Sequence, residues 1–333
     1  MKEARFFEKL EDKRVRCLLC PHRCFIGEGK RGSCGVRENQ EGVLFALTYG
    51  KIASLAMDPI EKKPLYHFLP GASILSLGSV GCNLHCLFCQ NWEISQSSVV
   101  DFPLKELPPQ KAVELALRYN SVGIAYTYNE PFVFWEYVFD TASLTKKEGL
   151  VNVLVTNGYV EEQPLEEILP LIDAMNIDLK SFDENFYKKV CGGKLEPVLR
   201  TIELAYRRGV HIEITHLLIG GLNDDFASFE KMINWISELS PDIPLHISRY
   251  FPAYRLNLSP TPLSLLQKAY EIALQKLHYV YLGNVLEERT STTYCPSCGN
   301  AVIRRSGYRV SCEGLKGNRC AFCGQFLPIV VKQ

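Results

Sequence analysis

The chain has 333 residues, 47% hydrophobic and 22% charged, enough to bury a large core. Lys plus Arg number 37 and Asp plus Glu number 37, so no global field draws it to nucleic acid or an anionic membrane. The opening MKEARFFEKLEDKRVRC is charged, and no later run approaches the ~20 apolar residues that span a bilayer, which places the chain in the cytoplasm. Its 13 cysteines therefore read as metal-bound thiolates rather than as a secreted disulfide framework.

In chain order, a Cys-rich head over residues 1–70 comes first. Cys17, Cys20, Cys24 and Cys34 suffice there for one closed four-thiolate site. Zinc and a second iron-sulfur cluster both fit, and three crowded thiolates before a distant fourth lean toward iron-sulfur. Residues 71–290 follow, with short apolar runs at 73–77, 122–126, 152–155, 174–177, 211–215 and 245–248 that predict six strands. Helical spacing falls between or after them at 109–120, 132–148, 164–171, 196–208, 226–239 and 263–277. Strand alternating with helix predicts a parallel sheet, and six units fall short of the eight that close a barrel. The expected fold is α/β, a partial (β/α)6 TIM-like barrel with small Cys-rich modules at both ends; a doubly wound open sheet is the competing architecture. Cys191 stands alone and reads as a small buried apolar residue.

Residues 291–333 form the tail. Cys295-Pro-Ser-Cys298-Gly and Cys320-Ala-Phe-Cys323-Gly are two knuckles that together complete a tetrahedral four-thiolate site, a zinc-ribbon pattern. An auxiliary iron-sulfur cluster is the alternative, and Cys312 is surplus.

The chemistry centres on the loop after the first strand, where Cys82, Cys86 and Cys89 place three thiolates within eight residues. Three ligands on a cubane leave one iron open; a zinc knuckle completed by His85 uses the same spacing. C-x3-C-x2-C with Phe88 before the last Cys resembles the signature of the radical S-adenosylmethionine (SAM) superfamily. That resemblance implies a [4Fe-4S] cluster whose open iron is chelated by SAM. It also implies one-electron cleavage of the sulfonium to methionine and a 5′-deoxyadenosyl radical.

The resemblance is nearest to pyruvate formate-lyase activating enzymes. Thr127-Tyr128-Asn129-Glu130-Pro131 lies where those enzymes carry Gly-Gly-Glu-Pro, which implies that Glu130 binds the SAM ammonium, with Asn129 as the alternative. Thr156-Asn157-Gly158 and Asp178-Leu179-Lys180 resemble two further family runs and imply that Asn157, Asp178 and Lys180 contact SAM; Val155 replaces an Asp often found there. On the sixth strand His246 and Ser248 point to one face, which puts His246 near the cofactor if that face is the interior.

The head, the segment Asp58-Pro-Ile-Glu-Lys-Lys-Pro-Leu-Tyr-His67, Gln90-Asn91-Trp92 and the tail are similar to the AmmeMemoRadiSam subgroup. Its name implies Memo-like and AMMECR-like companions. The segment 58–67 is too charged for core and is expected at the substrate entrance. The leading expectation is an enzyme that makes the 5′-deoxyadenosyl radical with an electron from flavodoxin or ferredoxin and abstracts hydrogen from an unidentified substrate. A protein glycyl site, as in glycyl radical enzyme activation, is one candidate. The competing readings are a zinc-ribbon module that binds nucleic acid or protein, against which the neutral charge balance speaks, and an iron-sulfur electron carrier without SAM chemistry.

Overall fold

The computed structural model describes residues 1–331. Its centre is an eight-stranded sheet in which each strand lies beside its predecessor in the chain. The six expected strands are present as Ser73–Gly78, Gly123–Tyr126, Val151–Thr156, Ala174–Asp178, His211–Leu218 and Leu245–Arg249, all parallel. Their runs are nearly continuously apolar because helices cover one face and the interior the other; all four residues of Gly123–Tyr126 are buried.

Two strands were not expected. Val280–Gly283 adds a seventh parallel strand, and Ser54–Pro59 pairs antiparallel with Ser73–Gly78 at the opposite edge. The first is only four residues long, and the second carries Asp58 and Pro59, residue types depleted in strands but tolerated at an edge. The two edge strands do not pair with each other, so the sheet stays open.

The helices follow their apolar spacing. Glu196–Arg207 buries Val198, Thr201, Ile202 and Ala205, one face of a 3.6-residue period. Phe226–Leu239 starts at Asp225, whose carboxylate accepts the Ser228 N–H at 3.0 Å, a cap that contributes about 1 kcal/mol. None of the described helices is long and apolar enough to cross a membrane.

The head consists of small antiparallel sheets, including Phe7–Lys9, Val15–Cys17 and Phe25–Ile26. It is fastened to the helical layer by a buried Arg37–Glu136 pair at 2.6 Å, with the Arg5 N–H also donating to Glu136 at 2.8 Å. The tail has its own core of Cys295, Val302, Ile303, Cys320, Leu327 and Ile329. Its Val330 exchanges backbone hydrogen bonds with His67 and Leu69 at 2.8 Å each.

Candidate active site

The loop that leaves the first parallel strand must run tightly under the next one. A Cβ at Gly78 would lie 2.3 Å from the Thr127 carbonyl oxygen, so only glycine fits. Asn129 then holds the loop: its Oδ1 accepts the Ser79 N–H at 3.0 Å, and its Nδ2 donates to the carbonyls of Val80 and Gly81 at 3.2 and 2.9 Å. The far side is clamped by a π-helical turn, Tyr187–Cys191, whose Cys191 and Val190 carbonyls accept the N–H groups of His85 and Leu87 at 2.8 and 3.0 Å. Such turns recur at functional sites.

Cys191 is buried, as expected, but not inert packing. It lies beside Cys86, and the two thiols share one charge unequally, the Cys86 thiol drawn below its ordinary pKa by Cys191 and the Cys191 thiol pushed well above it by burial and by Cys86. Cys89 lies 3.1 Å from the Ser95 hydroxyl, and Asn157 Nδ2 approaches the Cys82 sulfur at 3.6 Å. Phe88 is buried against Phe186, with ring centres 6.1 Å apart.

All three thiols open onto a cavity of about 700 Å³ at the carboxyl ends of the strands, and Asn129, Glu130, Asn157, Asp178, Lys180 and His246 line the same cavity. Ligands of parallel α/β sheets sit at that end.

Glu130 is nearly fully buried, and its carboxylate accepts the Thr156 hydroxyl at 2.7 Å, the Phe132 N–H at 3.0 Å and the Asn157 N–H at 2.8 Å. Burial pushes its pKa up to about 7, against those three donors. A carboxylate has about four acceptor positions, so one remains. Asn129, by contrast, spends its whole amide on the loop.

Asn157 donates to Asn83 Oδ1 at 3.0 Å, and its own Oδ1 accepts the Tyr159 N–H at 2.8 Å. Lys180 pairs with Asp178 at 2.7 Å; burial opposes its charge, but Asp178 and the neighbouring thiols Cys86 and Cys191 outweigh burial and hold its pKa well above the usual value. His246 and Ser248 both face the cavity. The His246 ring shares a hydrogen bond with Glu213 at 2.6 Å, and Glu213 also accepts the Tyr66 and His67 N–H groups at 3.0 and 2.7 Å.

Tyr128 occupies φ 72°, the left-handed region that glycine enters freely and a bulky side chain rarely does. Its hydroxyl donates to Asp58 at 2.5 Å and Lys63 lies 4.7 Å from its ring centre, contacts that hold the conformation. The segment 58–67 does wall the cavity, through Glu61, Lys62, Lys63, Pro64 and Tyr66. The expectation that it is too charged for the interior is overturned: Asp58, Glu61, Lys63 and His67 are buried, and Asp58 pairs with Lys62 and Lys63 at 2.9 and 2.7 Å.

Glu213 and Asn83 have no role in the sequence reading, and Thr156 enters it only through the run with Asn157 and Gly158. Glu213 left a usable signal, a carboxylate between Ile212 and Ile214 in a run that itself predicts a strand.

The two terminal thiol sets differ in geometry. In the tail, Cys295 and Cys323 are 3.6 Å apart and Cys298 and Cys320 3.7 Å, and all four sulfurs lie within 4.8 Å of one another. Four thiolates about 2.3 Å from one tetrahedral ion stand ~3.8 Å apart, so this set fits a single ion. Gly299 and Gly324, at φ 70° and 79°, make the matching knuckle turns. In the head, burial raises the Cys20 thiol, and Cys17, Cys34 and Cys24 each add to that rise, so the four are in electrostatic reach. Among the described residues, the tail four are the one group of three or more His, Cys, Asp or Glu placed to hold a metal ion.

Residues 77–236 match the Radical SAM superfamily. The chain carries a radical SAM superfamily domain. It is 46% identical to an uncharacterized protein of Methanocaldococcus jannaschii, over 99% of this chain and 100% of that one. It is also homologous to the pyruvate formate-lyase-activating enzyme of Clostridium pasteurianum, at 27% identity over 51% of this chain and 75% of the relative. A crystal structure of a radical SAM methyltransferase from Sphaerobacter thermophilus shares the fold, with a TM-score of 0.50 and 13% identity over 65% of this chain and 67% of that one. Radical SAM domains use a [4Fe-4S] cluster and SAM, and the three loop thiols are of the type and number such a cluster needs.

Proposed function

We propose that the chain cleaves SAM reductively at a [4Fe-4S] cluster held by Cys82, Cys86 and Cys89, and that the product radical takes a hydrogen atom from a substrate in the same cavity. The observation that carries this is the convergence of those thiols with Glu130, Asn157, Asp178, Lys180 and His246 on one cavity. A bound cluster supplies the electron that turns SAM into methionine and a 5′-deoxyadenosyl radical.

The chain's residues do the rest. The remaining acceptor position of Glu130 takes the SAM ammonium, and Asn129 fixes the loop rather than the cofactor. Asn157 donates toward the Cys82 sulfur. The Asp178–Lys180 pair and His246, oriented by Glu213, offer polar contacts for the rest of SAM. Phe88 and the wall of Pro64 and Tyr66 keep water away.

In this reading the tail thiols hold zinc as a structural site, the electron comes from flavodoxin or ferredoxin, and the protein works in the cytoplasm. Homology to activating enzymes supports a protein substrate, and the AmmeMemoRadiSam pattern supports Memo-like and AMMECR-like companions. Anaerobic reconstitution with iron, sulfide, dithionite and SAM, followed by chromatography, tests the proposal. It should yield 5′-deoxyadenosine; a cluster-replete protein that binds no SAM and yields none is an electron carrier or binding module instead.

A further inference from the structure

Three tyrosines line the cavity, Tyr66, Tyr128 and Tyr308, and they are held differently. Tyr128 spends its hydroxyl on Asp58. Tyr308 is 61% exposed, at the turn of a tail hairpin that pairs Ala301–Ser306 with Arg309–Ser311. Tyr66 is fixed everywhere except at its hydroxyl. Its N–H donates to Glu213 and its carbonyl accepts from Arg305. Its ring meets those of Tyr281 and His246 with centres 4.7 and 4.8 Å apart, and the Arg305 guanidinium covers a face. Among the described residues the hydroxyl meets no hydrogen-bond partner, and it is not sealed in as the Tyr137 and Tyr279 hydroxyls are. Burial raises the Tyr66 pKa, against the pull of Arg305, so the oxygen keeps its hydrogen at neutral pH.

We propose that Tyr66 gives its hydroxyl hydrogen atom to a carbon-centred radical in the cavity. This rests on the SAM-cleaving reading above. With a substrate bound, the acceptor is the product radical at the end of turnover; with none bound, it is the 5′-deoxyadenosyl radical itself. Two features of the site direct the chemistry. His246, which that reading sets against SAM, touches the Tyr66 ring, so the radical arises beside the phenol. The cation over the ring is attracted to its π electrons, an attraction that turns to repulsion if an electron leaves alone. Electron and proton therefore leave together. A phenolic O–H bond is weaker than the C–H bond formed, whereas the aliphatic hydroxyls of Thr127 and Ser248 on the same cavity wall hold their hydrogens too strongly to give them up.

The atoms and electrons balance. The Tyr66 O–H bond breaks and a C–H bond forms, leaving a neutral tyrosyl radical. One electron from a reduced flavin or iron-sulfur carrier protein and one proton from solvent restore the hydroxyl. The hydrogen that ends on carbon is thus exchangeable with solvent.

The test runs the full chain, loaded anaerobically with its cluster, in D2O with SAM and no substrate, dithionite replacing the carrier protein. Wild-type protein should yield 5′-deoxyadenosine with one deuterium by mass spectrometry. Freeze-quenched samples should show a tyrosyl signal by electron paramagnetic resonance, narrowed when the protein is grown on ring-deuterated tyrosine. Tyr66→Phe keeps the ring against Arg305, His246 and Tyr281 and lacks only the oxygen, so its product should be unlabelled and the tyrosyl signal lost. Unlabelled product from the wild type, or label and signal that persist in Tyr66→Phe, overturns the proposal. If that variant fails to fold, Tyr66→3-fluorotyrosine retains every contact and should split the signal through its fluorine; an unsplit signal assigns the radical elsewhere and overturns the proposal too. Failure of the function reading looks different: cluster-replete wild-type protein would yield no 5′-deoxyadenosine, labelled or unlabelled, and both readings fall.

Discussion

The guanidinium of Arg305 lies 4.1 Å from the centre of the Tyr66 ring and donates to the Tyr66 carbonyl at 2.6 Å. A residue of the tail thus holds down the segment that walls the cavity. Arg305 is 1% exposed and also donates to Thr293 at 2.9 Å, while Glu61 lies 3.9 Å away. Arg305→Ala leaves Glu61 buried without its countercharge, a class of change that costs about 3–5 kcal/mol. Urea denaturation should show a loss of that size, with the tail released at lower denaturant than the sheet.

Replacing Cys82, Cys86 and Cys89 together by Ala should abolish 5′-deoxyadenosine formation and remove the iron of one cluster. The fold should persist, because the loop is held by Asn129 and by the 187–191 turn independently of the thiols. Iron assay and product chromatography check this, and undiminished product would sink the assignment.

For the tail, Cys295→Ser plus Cys298→Ser should release zinc and lower the melting temperature before the cluster spectrum changes, since metal binding at such sites is coupled to folding. Zinc retained in this variant would move the ion elsewhere.

Glu130→Gln retains an acceptor for Phe132 or Asn157 but loses the charge that pairs with an ammonium. A charge-assisted hydrogen bond is worth roughly 1.5–3 kcal/mol, so SAM affinity should fall about ten- to a hundred-fold with the cluster intact. Anaerobic calorimetry reads this directly; wild-type affinity would leave Glu130 as a strand-end brace only.

Burial draws the pKa of His67 down to about 3 and that of His216 to about 4, so the folded chain keeps both neutral. The unfolded chain, with His at 6.5, binds more protons across that window. Their contribution to stability is therefore complete above pH 6.5 and is lost as pH falls toward 4 and 3. Glu130 runs the other way, its folded pKa of about 7 exceeding the ordinary 4.5, so its share improves as pH falls from 7. Denaturation at several pH values should show the wild type losing stability on acidification below pH 6.5, and His216→Gln should flatten that slope by at most about 1.4 kcal/mol per unit.

The elements legible in the sequence were those with a strong local pattern. Ser73–Gly78 and His211–Leu218 announce themselves through β-branched and apolar runs, and the C-x3-C-x2-C spacing names its own chemistry. What stayed hidden depends on long-range partners. Asp58 and Lys63 read as surface charges because nothing local shows that they neutralise each other and meet Tyr128. Cys191 read as packing because its neighbour Cys86 is more than a hundred residues away. Asn129 stands beside the residue taken for the ligand, and only the fold shows that its amide is committed to the loop.

The sequential strand order has a consequence for synthesis. Each strand emerging from the ribosome finds its neighbour already in place, and the first hairpin, Ser54–Pro59 with Ser73–Gly78, is local. Domains generally fold as units during synthesis, the N-terminal ones first. Cys82, Cys86 and Cys89 emerge directly after that hairpin, whereas Arg305 and the knuckles emerge much later. Between those two moments the nascent chain presents its loop thiols in a cavity whose outer wall has not yet been pinned, an interval in which a cluster-loading scaffold has its widest access.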